Sequence, residues 1–180
     1  MSVGNWEYYK DHTEPSQYGD KTTYIKAAEW LDGCGPVVQD WGCGTGWASR
    51  YFTKSRYVGV DGSWSRFADV VADLRLYESS CDGILLRHVL EHDLDWLMIL
   101  ENAVRSFTKR LAIVFFIPLE PATKFHSNEG NSAPILYVSR QGVMRALKGL
   151  YVREEVVSDL ELTYPFHKET ILYVERPETK

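Results

Sequence analysis

The sequence has few cysteines and no long apolar run. Its three cysteines, Cys34, Cys43 and Cys81, are odd in number and have no CxxC spacing, which argues against a disulfide framework and a zinc site. No stretch of about 20 apolar residues occurs, so we expect no transmembrane helix. The opening segment, MSVGNWEYYKDH, lacks the basic and apolar regions of a signal peptide. We therefore predict a soluble, cytoplasmic protein with free thiols.

An excess of basic residues is also missing. The chain has 20 Lys plus Arg against 25 Asp plus Glu, a formal charge of -5 and a pI near 5.5. Nucleic-acid binders usually carry a basic surface that displaces counterions from phosphates, so the composition argues against a nucleic-acid partner. With 180 residues, 44% of them hydrophobic, and neither repeats nor a linker, the chain is expected to form one domain over residues 1–180.

Short apolar runs alternate with helical stretches, a pattern typical of an α/β fold. We predict a Rossmann-like, mostly parallel sheet of about seven strands with a terminal antiparallel hairpin and helices on both faces. The predicted strands are 37–41, 57–60, 70–71, 81–87, 111–117, 152–157 and 170–174. The predicted helices are 21–31, one from the glycine-rich turn to about Phe52, 93–107 and 139–147.

Three connecting segments are unusual. GSWSRFAD, between the second and third strands, is too short for a full crossover helix, so that helix is expected to be shortened. Residues 118–134 are predicted to form a long loop that contacts the substrate. Residues 1–20 are predicted to form an N-terminal cap; its aromatic side chains are Trp6, Tyr8, Tyr9 and Tyr18.

The segment most informative about function is DWGCGTG, Asp40 to Gly46, which directly follows the first predicted strand. Glycines at alternate positions allow a sharp turn and let a ligand approach the main chain. Asp61 follows Asp40 by 21 residues, at the end of the second strand, where an acid can accept hydrogen bonds from ribose hydroxyls. Asp73 follows the third strand and could accept from an adenine amine. For each acid the alternative is capping of a turn or helix.

Taken together, these strand ends resemble the class I S-adenosylmethionine-dependent methyltransferases. The matching segments are DWGCGTG, GVDG (Gly59 to Gly62), ADL (Ala72 to Leu74) and HVLEH (His88 to His92). The resemblance covers about Tyr24 to Ile117 and is specific for cofactor and fold, but not for the substrate.

The resemblance implies S-adenosylmethionine as the cofactor and S-adenosylhomocysteine as the product. It implies that the turn surrounds the methionine moiety, that the acid after strand two holds the ribose and that the acid after strand three holds the adenine. Arg87 is expected near the amino-acid end. The implied cofactor-binding residues are Asp40, Trp41, Gly42, Cys43, Gly44, Gly46, Asp61, Gly62, Asp73, Leu74 and Arg87. Trp41 replaces the small or aliphatic residue common in the family and is expected to narrow the cleft.

His88, at the end of strand four, is the candidate catalytic base, because its ordinary pKa lies near neutrality. The alternative is packing on the cofactor or capping of the next helix. Some family members bind a divalent metal through ExxEH here, but this chain has His88 in place of the first Glu, so no metal is predicted. Glu91 and His92 are instead expected to cap the helix opened by Asp93.

We predict methyl transfer to an oxygen or nitrogen of a small molecule. Leu86-Arg87-His88-Val89 lacks the (D/N/S)PP(Y/F) motif of amino-directed DNA enzymes, and no Pro-Cys pair provides a cytosine-C5 nucleophile. RNA or protein methylation, a catalytically inactive cofactor-binding subunit and an NAD-dependent oxidoreductase remain alternatives. The last would need the third glycine one residue later.

Overall fold

A computed structural model describes residues 9–17, 19–129, 133–158 and 168–177. Three α-helices and nine strands form within them. The helices are α1 (Lys21–Leu31), α2 (Trp96–Ser106) and α3 (Arg140–Ala146). The strands are β1 (Val37–Trp41), β2 (Arg56–Asp61), β3 (Val70–Val71), β4 (Cys81–Arg87), β5 (Phe107–Phe115), β6 (Lys124–Glu129), β7 (Ala133–Tyr137), β8 (Tyr151–Ser158) and β9 (Lys168–Glu175).

Seven of these strands form one sheet in the order β3-β2-β1-β4-β5-β9-β8. The first five in this order are parallel, while β9 pairs antiparallel with both β5 and β8. The predicted parallel sheet with a terminal antiparallel hairpin is therefore confirmed. The order reverses between β1 and β4, and open α/β sheets bind ligands beyond the strand ends at such a reversal.

Each face of the sheet carries its own apolar core, because alternate strand residues point to opposite faces. On one face, α1 packs Ala27 and Leu31 against Val38 and Leu85. The helices α2 and α3 cover the other face, where Trp41 belongs to the core. Helices on both faces are thus confirmed.

Trp41 does not narrow the cleft, contrary to the sequence expectation. Its side chain is fully buried, and its indole Nε1 donates a 2.8 Å hydrogen bond to Oε1 of Gln39. The ring of Tyr77 meets it edge-on at 5.1 Å. Strand alternation turns Trp41 into the core beside α2, so only its main chain is available to a ligand.

Two connections differ from the sequence prediction. After the glycine turn the chain forms a short 3-10 helix, Trp47–Tyr51, instead of an α-helix. Residues 118–134 are not one long loop, because β6 and β7 form an antiparallel hairpin within and beyond them. The connection from β2 to β3 contains turns and no helix over residues 62–69, as its length predicted. No helix in the described ranges has the length and apolar character needed to span a membrane.

Candidate active site

The predicted site residues meet at one edge of the sheet. In the register, Trp41 of β1 lies opposite Val60 of β2 on one side and Leu86 of β4 on the other. The residues that follow these three strands therefore emerge side by side at their carboxyl ends. This brings together the glycine turn, Asp61 and the Arg87-His88 pair.

The glycine turn has the backbone geometry that its sequence predicts. Gly42, Gly44 and Gly46 have φ values of +77°, +55° and +68°, in the left-handed region that other residues rarely adopt. A Cβ on Gly42 would lie 2.5 Å from Cγ2 of Val89. A Cβ on Gly44 would lie 3.0 Å from the ring of Tyr9. The turn is therefore bare backbone closely approached from two sides.

Asp61 fastens this turn to the end of β2. Its Oδ2 accepts a 2.8 Å hydrogen bond from the Gly44 amide, and its Oδ1 accepts a 2.7 Å bond from the Ser63 amide. Burial raises the pKa of the carboxyl, and the two backbone bonds oppose that rise. Because a carboxylate has about four lone-pair positions, each oxygen retains acceptor capacity for a hydroxyl.

Asp40 is buried near the end of β1, shortly before the glycine turn. Its Oδ2 accepts a 2.7 Å hydrogen bond from the Tyr57 hydroxyl. Burial raises the pKa of Asp40 to about 7, against the effect of that bond. Burial also raises the pKa of Tyr57, reinforced by the neighbouring Asp40. The hydrogen bond between Asp40 and Tyr57 links the side chains of β1 and β2 next to the turn.

Asp73 and Leu74 lie beyond the end of β3 at the same edge. The Asp73 carboxylate is held by Arg75, whose Nε and Nη2 donate bonds of 2.9 and 2.7 Å. This fork lowers the pKa of Asp73. The Leu74 carbonyl accepts a 2.9 Å bond from Asn102 Nδ2, and its side chain is buried. An adenine amine would have to share the Asp73 carboxylate with Arg75.

Residues 9–17 lie against the glycine turn. The Tyr9 amide donates to Ser63 Oγ at 3.3 Å. Thr45 Oγ1 accepts from the Ser16 amide at 2.9 Å and donates to the Ser16 carbonyl at 2.8 Å. Trp6, Tyr8 and Tyr18 lie outside the described residues.

At the end of β4, Arg87 and the following residue His88 meet a carboxylate from β9. Glu169 Oε1 lies 3.3 Å from Arg87 Nη2 and 3.2 Å from His88 Nε2. Thr23 of α1 donates a short hydrogen bond to Oε2 of Glu169. All four side chains are buried. The Arg87 guanidinium also stacks 3.7 Å above the ring of Tyr24, so it faces the interior between α1 and β9.

Glu91 and His92 do not cap the following helix, so that prediction was wrong. The helix α2 begins at Trp96. Glu91 Oε1 instead accepts a 2.8 Å bond from the Phe116 amide, and His92 Nδ1 lies 3.1 Å from the Pro134 carbonyl. Burial raises the pKa of Glu91 to about 8. No group of three or more metal-ligating side chains occurs within the described ranges.

Sequence reasoning missed Glu169 because its partners Thr23 and Arg87 precede it by 146 and 82 positions. One signal was present: a glutamate two residues before the apolar run ILYV of the strand KETILYVE. Charged residues are almost never fully buried unless paired. Such a position therefore indicates a buried counter-ion elsewhere in the chain.

No protein-family model matches the sequence, and no curated protein matches it. Solved structures do match. A 1,6-didemethyltoxoflavin-N1-methyltransferase of Burkholderia thailandensis, with bound 1,6-didemethyltoxoflavin and S-adenosylhomocysteine, aligns with a TM-score of 0.68 and 16% identity over 88% of this chain and 80% of its own. A magnesium protoporphyrin IX methyltransferase of Synechocystis PCC 6803 with bound S-adenosylmethionine aligns with a TM-score of 0.61 and 17% identity over 87% of this chain and 79% of its own.

A third match, the [4+2]-cyclase SpnF, aligns with a TM-score of 0.62 and 14% identity over 99% of this chain and 88% of its own. At such identities the likeness concerns the fold. The resemblance found in the sequence is confirmed at that level: the chain has the fold of the class I S-adenosylmethionine-dependent methyltransferases.

Proposed function

We propose that the protein is an S-adenosylmethionine-dependent methyltransferase that acts on an oxygen or nitrogen of a small molecule. One observation carries the proposal. The amide of Gly44, in a turn of bare backbone, is bonded to the buried carboxylate of Asp61, so two cofactor-binding elements form one preorganised unit at the switch point of the sheet. Matching structures that contain S-adenosylmethionine or S-adenosylhomocysteine support it.

The residues at this edge fit an adenosyl ligand. Gly42, Gly44 and Gly46 have positive φ values and carry no side chains, so a ligand can approach the main chain of the turn closely. We assign the main chain of Trp41 to Gly44, with Gly46, to the methionine moiety. Asp61 and Gly62 would hold the ribose, and Asp73 and Leu74 the adenine. The cap segment would cover the ligand, because Tyr9 already packs on the turn.

Bound S-adenosylmethionine would supply an electrophilic methyl group on a sulfonium. Its transfer is an in-line displacement that depends mainly on positioning and on excluding water. The end of β4 provides His88 at this point. We assign His88 as the base that takes the proton from an O–H or N–H acceptor. Burial, assisted by Arg87, lowers the pKa of His88 to about 4, so its imidazole is neutral at pH 7, and Glu169 favours the imidazolium that would form on accepting the proton.

The acceptor would bind between the end of β4 and the β6–β7 hairpin. His92 lies against the carbonyl of Pro134 in β7, so the hairpin reaches the segment that follows His88. This arrangement supports residues 118–134 as a substrate-contacting segment. The formal charge of -5 favours a small molecule over a nucleic acid.

Calorimetric titration with S-adenosylhomocysteine tests the proposal. We expect saturable binding to the wild type. Asp61→Ala should weaken it by about 1–3 kcal/mol, the usual cost of leaving hydrogen-bond partners unsatisfied. Asp82→Ala is the matched control. Asp82 accepts a 3.1 Å bond from the Val37 amide, and both residues lie at the amino-terminal ends of their strands, opposite to the candidate site.

Absence of binding at millimolar ligand would refute the proposal, and equal losses in the two variants would refute the ribose assignment. Binding without transfer to any small-molecule acceptor would favour the inactive-subunit alternative.

A further inference from the structure

We propose that Glu169 of β9 is a positioning residue for His88: it fixes the imidazole in the tautomer that carries its proton on Nε2, which makes Nδ1 the nitrogen that accepts a proton. The role of that proton rests on the proposed methyl transfer. The tautomer itself is a property of the protein without any ligand.

Glu169 is held rigidly enough to orient a neighbour. Its side chain has no exposed surface. Its Oε1 and Oε2 lie 3.3 and 3.4 Å from Arg87 Nη2, and the Thr23 hydroxyl donates to Oε2. Arg87 is itself fixed, because Nη2 donates to the Asp20 carbonyl at 3.2 Å and Nε donates to Thr23 Oγ1 at 3.2 Å.

The charge of Glu169 matches this role. Burial would raise its pKa, but contacts with His88, Arg87 and Thr23 outweigh burial and lower the pKa to about 2. An ionised carboxylate is an acceptor only. A neutral imidazole beside it therefore gains most by presenting an N–H to Oε1, and the nearer nitrogen is Nε2, at 3.2 Å.

The backbone conformation and the ring contacts of His88 restrict the orientation of its imidazole. Its φ of +56° is the one positive value among the non-glycine residues that the structure describes. Such backbone strain persists where surrounding contacts overdetermine it, typically at functional sites. The ring of Phe116 lies 5.0 Å from the imidazole. On the side of Gly19, a Cβ would come within 3.2 Å of Cε1 of His88 and 3.0 Å of Arg87 Nη2, so a bare backbone is needed there.

Glu169 Oε1 and His88 Nε2 lie 3.2 Å apart in the ligand-free structure, which is within reach of an N–H···O hydrogen bond. The arrangement matches the general pattern in which a buried carboxylate selects the tautomer and orientation of a histidine base.

Several charged or titratable groups act on His88. Arg87 adjoins it on β4, His92 follows on the next turn, and Glu169 faces it from β9. Glu91 lies nearby and interacts electrostatically with both Glu169 and Arg87. Burial and Arg87 disfavour the imidazolium, whereas Glu169 favours it. Glu169 is thus the group in this cluster that makes His88 more basic.

Long-range ¹H–¹⁵N NMR of the full-length, ligand-free protein tests the tautomer, with the His88→Gln spectrum identifying the His88 signals among the five histidines. We expect His88 to carry its proton on Nε2 at pH 7. Glu169→Gln should lose this single tautomer and give averaged signals, because an amide can both donate and accept. Its His88 should also titrate at lower pH than in the wild type.

Thr23→Val is the matched control, because it removes a partner of Glu169 Oε2 and of Arg87 Nε but leaves both groups of the Oε1 contact with His88 unchanged. It should retain the Nε2–H tautomer even if it lowers stability. If His88 of the wild type carries its proton on Nδ1, the proposal is overturned. This measurement is made on the wild type and does not depend on whether the variants fold. Equal tautomer shifts in Thr23→Val and Glu169→Gln would also overturn the proposal, since they would indicate general loosening of the cluster.

Titration of the same samples with S-adenosylhomocysteine separates the two proposals. Absence of binding with the Nε2–H tautomer present refutes the proposed function alone. Binding with the proton on Nδ1 refutes the positioning role alone.

Discussion

Replacing Glu91 by Gln should stabilise the protein in alkaline solution. Glu91 is 1% exposed. Its Oε1 accepts from the Phe116 amide, whereas its Oε2 is buried and has no hydrogen-bond partner within the described structure. A buried carboxylate with one unsatisfied oxygen is costly to ionise. Glutamine is close in shape to the protonated acid but has no charge to bury.

The expected magnitude follows from the pKa. Burial raises the pKa of Glu91 from an ordinary 4.5 to about 8. Since the pKa is raised in the folded state, the stability associated with the protonated group is fully present below pH 4.5 and is lost as the pH rises to about 8. Each unit corresponds to about 1.4 kcal/mol. Between pH 6 and pH 9 the wild type should therefore lose about 3 kcal/mol through Glu91, and Glu91→Gln should not.

Urea denaturation at pH 6, 7.5 and 9 measures this difference. Glu101→Gln is the control, because Glu101 is exposed on α2 and its replacement removes the same formal charge. Its effect should vary with pH by less than about 0.5 kcal/mol, as expected for a surface substitution. A constant stability difference between wild type and Glu91→Gln from pH 6 to pH 9 would refute the reasoning, since it would mean that Glu91 does not bind a proton on folding.

Two further predictions concern the glycine turn and its support. Gly44→Ala should destabilise the fold and abolish tight S-adenosylhomocysteine binding, as measured by urea denaturation and calorimetry. Gly149→Ala, with φ +86° and no heavy atom within 4 Å of its Cβ, should show only the backbone cost of roughly 1–2 kcal/mol; equal effects would contradict the close approach at Gly44. Tyr57→Phe should cost about 1–3 kcal/mol in urea denaturation, and more at pH 8.5 than at pH 6. The pKa of Asp40 is raised to about 7 by burial, so at pH 8.5 the carboxylate is ionised, and in Tyr57→Phe it lacks its hydrogen-bond donor. A smaller loss of stability at pH 8.5 than at pH 6 would contradict the pairing of Asp40 with Tyr57.

The sequence was sufficient to predict the elements whose signals are local. The apolar run before DWGCGTG predicts β1 and its turn because both the burial of the strand and the positive φ values depend on adjacent residues. Pairing of β8 with β9 followed from two β-rich segments near the end of the chain. The position of Asp61 beside the turn followed from parallel strand order alone, and its hydrogen bond to Gly44 agrees with that order.

Features set by tertiary contact were less predictable. The strand β6, KFHSNE, is polar and lies near Pro and Asn residues, so its pattern is typical of a loop; pairing with β7 makes it a strand. The Trp41 side chain was expected in the cleft because it belongs to the DWGCGTG motif. The alternation of side chains along β1 instead directs it into the core. The bond from Glu91 to the Phe116 amide joins the ends of β4 and β5, and no local pattern distinguishes it from a helix cap.

The two ends of the candidate site differ in how firmly the protein holds them. At the end proposed to bind the adenosyl group, β3 has two residues, and the connections on either side of it contain no helix. Trp64 and Leu76 are 75% and 78% exposed there. At the end proposed to bind the methyl acceptor, His88 and Glu169 are buried near strands that have neighbours on both sides. Because low-stability segments order at the expense of binding energy, cofactor affinity should depend on the β2–β3 edge, whereas proton transfer depends on a cluster that is already in place.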